Sequence, residues 1–376
     1  MDAITNPAAL ERETPNPRPA KSEDTCTVYL EGLATAVPPF AMPQELVKAK
    51  AKEILGERYE DFARLSSIMQ NAGVKKRYLS RPPVWFEGDH DFYGRNEAYL
   101  EVATDLFKEA AQKALDNANM APEDIDSIVM ISSTGVATPT IDARAMQDMG
   151  FRANVNRVPV FGLGCAGGVT GMAIAARLAR AKPGTCVLMV AIELCSLSFN
   201  AKNPSKADFV ATVLFGDGAA ALCLRSAAGA PTQGITVGEG VEHLWHGTLD
   251  NMGWEVKADG LGVILDKSIP NFVRQKYRSA ADNALKTANL EIGDIDRFIC
   301  HPGSVKVIQA IETALELGND TLDHERHVMA NFGNMSAPTV LFILERVIND
   351  AKPGQYMMAS LGPGFTASFL PVVFHE

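Results

Sequence analysis

The chain has 376 residues, 47% of them hydrophobic, enough to bury a large core as one α/β unit or as two fused domains. With 45 acidic against 35 basic residues, the formal charge of -10 argues against nucleic acid or an anionic membrane surface as the main partner. The six cysteines, at 26, 165, 186, 195, 223 and 300, form no CxxC pair and no disulfide framework, and read as reduced thiols in a cytosol.

Residues 1–25 are rich in proline and charge and lack the apolar run of a signal peptide, so they read as a flexible tail. No run of about 18 apolar residues occurs, and no membrane-spanning helix is expected. Lys75-Lys76-Arg77 is a local basic patch able to hold a phosphorylated ligand. The first long element is an alanine-rich amphipathic helix through Ala110-Ala111, Ala114-Leu115 and Ala118-Asn119, and an apolar strand from Ser127 to Ser132 follows it. Val158-Pro159-Val160-Phe161 then leads into Gly162-Leu163-Gly164-Cys165-Ala166-Gly167-Gly168. A helix from about Gly167 to Arg180 comes next, ended by Pro183-Gly184, and a strand after it.

The pattern returns at a constant offset of 170. Ala280-Ala281, Ala284-Leu285 and Ala288-Asn289 repeat the helix, Arg297 to Cys300 the strand, and Ala351-Lys352-Pro353-Gly354 the Ala181-Lys182-Pro183-Gly184 turn. Ser368-Phe369 repeats Ser198-Phe199. In the second copy Asn331-Phe332-Gly333-Asn334-Met335-Ser336 stands before a helix, as part of a strand-helix unit. A repeat this long implies two duplicated halves packed as pseudo-twofold partners. Alternating strands and helices predict a mostly parallel sheet covered by helices. The boundaries are placed at 26–235 for the first half and 236–376 for the second.

Cys165 admits two readings, a small buried apolar residue or a nucleophile. Shifted by 170, Asn334 falls on Gly164, the neighbour of Cys165, and His301 follows a strand of the second copy. Symmetric packing therefore brings Cys165, His301 and Asn334 to one place. A cysteine at a helix start meets unpaired N–H groups and the positive end of the macrodipole, which favour the thiolate, and an imidazolium at His301 would add to this. The asparagine NH2 can donate to an oxygen on which charge develops. This set fits acyl-thioester chemistry better than redox chemistry.

Other conspicuous residues have simpler readings. Cys26, Cys186, Cys223 and Cys300 have no glycine turn or histidine beside them and read as core. His243 with His246, and His324 with His327, lie three apart without a third ligand, so no metal site is expected. The GDG at 216–218 and GPG at 362–364 miss the spacing of nucleotide-binding loops and read as turns.

GLGCAGG around Cys165, LFGDGAAA from Leu214 to Ala221, HPG from His301 to Gly303, FGNMSAPTVLFIL from Phe332 to Leu344 and LGPGF from Leu361 to Phe365 form a specific set. In order, from about Cys26 to the end, the chain resembles the type III polyketide synthases, the chalcone synthase-like branch of the thiolase superfamily. The resemblance implies a thiolase-like α/β fold, a duplicated αβαβα arrangement with mixed sheets covered by helices. It also implies a homodimer, acyl-CoA and malonyl-CoA as substrates, and no metal or redox cofactor. By the same resemblance Cys165 carries the starter and the growing chain, while His301 and Asn334 bind the malonyl thioester oxygen and stabilise the enolate. Backbone N–H groups at Cys165 and in the Gly362 to Gly364 loop would form the oxyanion hole.

Phe215 matches one of two phenylalanines between the CoA tunnel and the cavity of plant-like members, and Val263 stands in place of the second. Cys195 and Ser198 replace threonines of the cavity wall. Thr138 replaces a methionine that reaches the partner subunit. These departures resemble bacterial alkylresorcinol and alkylpyrone synthases and imply a medium- or long-chain fatty acyl starter. Candidates for the CoA phosphates are Lys306, Arg64 and Lys75 to Arg77, with Ser67 and Asn71 replacing basic positions of the family. One rival is a ketoacyl carrier-protein synthase III-like enzyme that condenses once. It shares the Cys, His and Asn, but HPG and the GPG loop favour the polyketide enzyme. The other rival is a non-catalytic acyl-CoA-binding protein of the same fold, against which the intact triad counts.

Overall fold

The computed structural model describes residues 26–47, 49, 72–199, 206–231, 233–257, 260–350 and 352–376. The expected tail at 1–25, and Arg64, Ser67 and Asn71, lie outside the described residues. The first half runs β1 (Cys26–Ala36), β2 (Phe40–Pro43), β3 (Lys76–Leu79), α1 (Phe92–Asn117), β4 (Ser127–Ile131), α2 (Ile141–Met149), β5 (Asn156–Val160), α3 (Gly167–Arg180), β6 (Cys186–Leu194), α4 (Lys206–Leu214) and β7 (Asp217–Ala228). The second runs β8 (Ile235–Val237), β9 (Val241–Leu244), β10 (Met252–Lys257), β11 (Gly260–Leu265), α5 (Ile269–Thr287), β12 (Arg297–Cys300), α6 (Val305–Ala314), α7 (Asp323–Phe332), α8 (Thr339–Asp350), β13 (Gly354–Gly362) and β14 (Thr366–Phe374).

One sheet, in the order β12-β13-β14-β8-β1-β7-β6-β4-β5 with β9 added on β14, spans both halves. α3 and α8 share a core with strands of both halves: Val169, Met172, Val340 and Leu341 pack with Val129 and Met189 on one side and Ile299, Met358 and Leu370 on the other. α1 covers the outer face of the first half through Leu106, Phe107, Ala110, Ala114 and Leu115. α5 and α6 cover that of the second. The inner helices α3 and α8 therefore pack against strands of both halves, and outer helices cover each half on its other face. Small residues on α1 let the helix lie close to the sheet, so that a Cβ on Gly32 of β1 would stand 2.4 Å from the Ala114 carbonyl oxygen.

The sheet is mixed, which corrects the mostly parallel expectation. β4 runs parallel to β5 and β6, and β12 to β13, but β6 meets β7, and β13 meets β14, antiparallel. Only residues 363–365 join β13 to β14, a hairpin connection too short for the crossover a parallel partner needs. The repeat is real in β4, β6 and β7 against β12, β13 and β14, yet two expectations drawn from it fail. Ser198-Phe199 lies in the turn after β6, whereas Ser368-Phe369 lies inside β14, because the stretch carrying α4 intervenes only in the first half. The second copy also lacks a strand like β5, since residues 170 further on belong to α7.

Candidate active site

Gly164–Ala166 form a 3-10 turn that runs straight into α3 and leaves Cys165 only 6% exposed. Ser133 holds this turn: its hydroxyl accepts the N–H groups of Gly162 at 3.1 Å and Gly164 at 3.2 Å. The Ser133 N–H donates to Glu193 Oε2 at 2.9 Å. The side chains of Ser336 and Asn334 lie close enough to the Cys165 sulfur to favour its charged form. Burial nevertheless pushes the thiol up to about 11, and the Glu193 carboxyl adds to that. Lost hydration thus works against the thiolate that the helix start favours. Burial likewise pushes Glu193 up to about 8.

His301 follows β12 and is 2% exposed, its N–H bonded to the Ala359 carbonyl at 2.8 Å. Both ring nitrogens lack a hydrogen-bond partner among the described residues, and burial pushes the ring down to about 3. Burial therefore favours the neutral imidazole, whereas a negative charge on a nearby sulfur would favour the imidazolium. The next residue of β13 reaches the nucleophile turn, the Ser360 hydroxyl donating to the Ala166 carbonyl at 3.4 Å. At the strand's end a Cβ on Gly362 would stand 2.7 Å from the Ala166 nitrogen, so only glycine lets the strand close on that turn. One strand end therefore serves both His301 and the turn of Cys165.

Asn334 joins the two. Its Nδ2 donates to the Gly303 carbonyl of the HPG turn at 3.2 Å, and its side chain also reaches the sulfur. Its Oδ1 accepts the Ser336 N–H at 2.8 Å. Its backbone is bonded to the end of α4, N–H to the Leu214 carbonyl at 2.8 Å and carbonyl to the Gly216 N–H at 3.0 Å. Gly333, at φ +71°, makes the turn, and a Cβ there would meet the Leu214 oxygen at 2.7 Å.

A cavity opens at the end of α4, and none of Cys165, His301 and Asn334 lines it. Met42, Val47, Leu79, Phe86 and Phe209 give it an apolar wall, Phe215, Val263, Cys195 and Ser198 also line it, and Arg77, Glu87 and Asp208 add charged groups to the lining. Ser198 lines a second, smaller cavity as well, with Thr134, Leu197, Trp254 and Leu261. Trp254 of β10 pairs with Val263 of β11. Thr138 is exposed and lines neither cavity, and Lys306 is exposed in the first turn of α6, also outside both. Lys75 is exposed, but Arg77 is only 1% exposed and bonded to backbone carbonyls, so its assignment to a CoA phosphate is corrected. Among the described residues no cluster of three His, Cys, Asp or Glu could hold a metal ion.

Sequence reasoning passed over Ser336, Glu193, Ser133 and Trp254. Two of them left a signal. Ser336 closes the FGNMS string, and Glu193 is the only charged residue in the apolar run from Cys186 to Cys195. Ser133 and Trp254 carry none, since their places depend on how distant segments meet.

Residues 19–228 match the N-terminal domain, and residues 241–374 the C-terminal domain, of chalcone and stilbene synthases. The 1,3,6,8-tetrahydroxynaphthalene synthase of Streptomyces peucetius subsp. caesius is 39% identical over 345 residues, covering 89% of this chain and 90% of its own. A putative chalcone synthase of Bacillus subtilis is 30% identical, covering 91% and 97%. Among solved structures, the 1,3,6,8-tetrahydroxynaphthalene synthase of Streptomyces coelicolor A3(2), a bacterial type III polyketide synthase, superposes with a TM-score of 0.87 at 26% identity. That match covers 93% of this chain and 99% of the other.

Proposed function

The chain belongs to the chalcone and stilbene synthase family and is a type III polyketide synthase, an acyltransferase that condenses malonyl-CoA, works on CoA thioesters and needs no further cofactor; from this we propose roles for its residues and a class of starter. Cys165 carries the acyl chain, and His301 with Asn334 handles malonyl-CoA. The observation that supports this is a buried sulfur within reach of Asn334 and Ser336, in a fold that also buries the His301 ring with no partner for either nitrogen among the described residues. His301 takes the thiol proton as the sulfur attacks the starter thioester and returns it to the leaving CoA, which departs as its thiol. The ring N–H of the His301 imidazole and the Asn334 NH2 then face the carbonyl oxygen of malonyl-CoA. Loss of CO2 leaves an enolate whose oxygen they hold. Its carbon attacks the Cys165 thioester and releases the sulfur for the next round, with Ser336 donating to it again. Backbone N–H groups at Cys165 and near Gly362 form the oxyanion hole. CoA phosphates meet Lys306 and Arg64.

The starter in this reading is a medium- or long-chain fatty acyl group, and the product an alkylpyrone or alkylresorcinol. The apolar cavity wall supports it, together with valine rather than an aromatic ring at 263. Cys195 and Ser198 line the chain's path, and Phe215 guards its entrance. A cytosolic homodimer completes the proposal, formed along the edge strand β5, beside which Val136 and Phe161 are 53% and 61% exposed. Thr138, on the same face, is offered to the partner subunit. A second reading rests on the relative that is 39% identical, named for tetrahydroxynaphthalene, whose carbon skeleton divides into two-carbon units without a fatty starter.

Incubation with malonyl-CoA alone and with a graded acyl-CoA panel, followed by mass spectrometry, decides between them. Ring products whose mass tracks the starter are expected. A naphthalene product from malonyl-CoA alone, with fatty acyl-CoAs ignored, would replace the first reading by the second. Absence of CO2 release with any starter would overturn the residue roles.

A further inference from the structure

Arg77 of β3 was expected at a phosphate and instead lies in the interior. Its Nη1 donates to the carbonyls of Thr212 and Phe215, the latter at 3.2 Å, and its Nη2 to the carbonyl of Val213 at 2.8 Å and to Gln44 Oε1. These carbonyls close the C-terminus of α4, where acceptors are otherwise orphaned and the helix dipole is negative. Burying a cation costs several kcal/mol of hydration. Buried Asp217 supplies an opposite charge, but capping a helix end needs no buried guanidinium. What the planar fork adds is fixed geometry, since it ties several carbonyls at once.

The partners of that segment alternate. Carbonyls 212, 213 and 215 face Arg77, whereas the Leu214 carbonyl and the Gly216 N–H are bonded to the backbone of Asn334. The end of α4 is a ribbon clamped by Arg77 on one edge and by Asn334 on the other. There is no slack, because a Cβ on Gly216 would stand 2.4 Å from the Phe332 oxygen and 3.2 Å from the Arg77 Cβ. β3 also holds the other side of the same turn. The Lys75 N–H donates to the Ala330 carbonyl at 2.7 Å, and Tyr78 stacks on Phe332 at 5.8 Å between ring centroids. The turn of Cys165 has separate supports in Ser133 and Ser360, neither of which contacts Arg77.

We propose that Arg77 is a positioning residue for malonyl-CoA decarboxylation, setting the place of Asn334 through the end of α4. The inference rests on the role given above to Asn334. It separates two activities of one enzyme: loss of Arg77 misplaces the decarboxylation donor and leaves acyl loading alone.

The test measures acylation of Cys165 by intact-protein mass, CO2 release from malonyl-CoA, and Tm, on the full-length enzyme and on Arg77→Lys, Arg77→Met, Gln44→Met and Asn334→Ala. Misplacement of a reacting group by about 1 Å costs up to about 100-fold in rate. Decarboxylation is expected to fall about 10- to 100-fold in Arg77→Met and less in Arg77→Lys, with acylation within about twofold of wild type. A parallel fall of both activities, or no change in their ratio, overturns the proposal. If both Arg77 variants fail to fold, Gln44→Met decides: a ratio lowered about threefold supports the proposal, and an unchanged one overturns it. Asn334→Ala that decarboxylates normally removes the role of Asn334 and this proposal with it. Asn334→Ala that is inactive beside wild-type-like Arg77 variants removes the proposal alone.

Discussion

Burial pushes the Cys165 thiol up and the His301 ring down, so it opposes the thiolate–imidazolium pair that the proposed loading step uses. With the thiol near 11, the thiolate fraction of the free enzyme rises about tenfold per pH unit through the alkaline range. Alkylation of Cys165 by iodoacetamide is therefore expected to accelerate steadily between about pH 7 and about pH 10, and a plateau below neutrality would contradict this. Ser336→Ala removes a donor to the sulfur, and acyl loading should slow about tenfold, measured by intact-protein mass. Glu193 makes the opposite pH statement. Its value in the folded protein, about 8, lies above the ordinary 4.5, so the folded state keeps a proton that the unfolded state releases between the two. Stability from this group falls as pH rises through that window, and Glu193→Gln should flatten the decline in Tm. Cys165, His301 and Asn334 were legible because each sits in a glycine-marked string. The hydroxyl of Ser336 was not, since its aim depends on a backbone at φ +57° that composition does not announce. Arg77 was misread because a basic run looks like surface until the carbonyls around it are known.

At the scale of elements, the contact of α3 with α8 carries the site, because each helix begins beside a reacting residue. A Cβ on Gly168 would meet the Ala337 carbonyl oxygen at 2.3 Å. Gly168→Ala must push the helices apart, and a loss of about 1–3 kcal/mol is expected by denaturant unfolding, with slower loading in the fraction that folds. The bounds of α3, Gly167–Arg180, and of β12, Arg297–Cys300, could be read from sequence because turn residues mark their ends. Strand direction could not. The apolar run of β14 looks the same whether the chain returns by a hairpin or by a helix, and only the short 363–365 connection decides it. The helix α7 where a strand was expected has the same cause, since short stretches are assigned by what packs on them.

For the whole molecule, the edge strand β5 and the exposed Val136 and Phe161 define the face assigned to a second copy. Phe161→Glu is expected to convert a dimer to a monomer in light scattering after gel filtration, and a dimer that persists would move the interface elsewhere. The duplication has one more consequence. Two copies of a unit could hold two reaction centres, yet 170 residues after Cys165 stands Met335, and 170 before His301 stands Ile131, both fully buried. The counterparts of Cys165 and His301 are packing residues, so on the proposed roles neither half holds a second reaction centre. In stoichiometric terms, titration with a non-extendable acyl-CoA should saturate at one acyl group per chain.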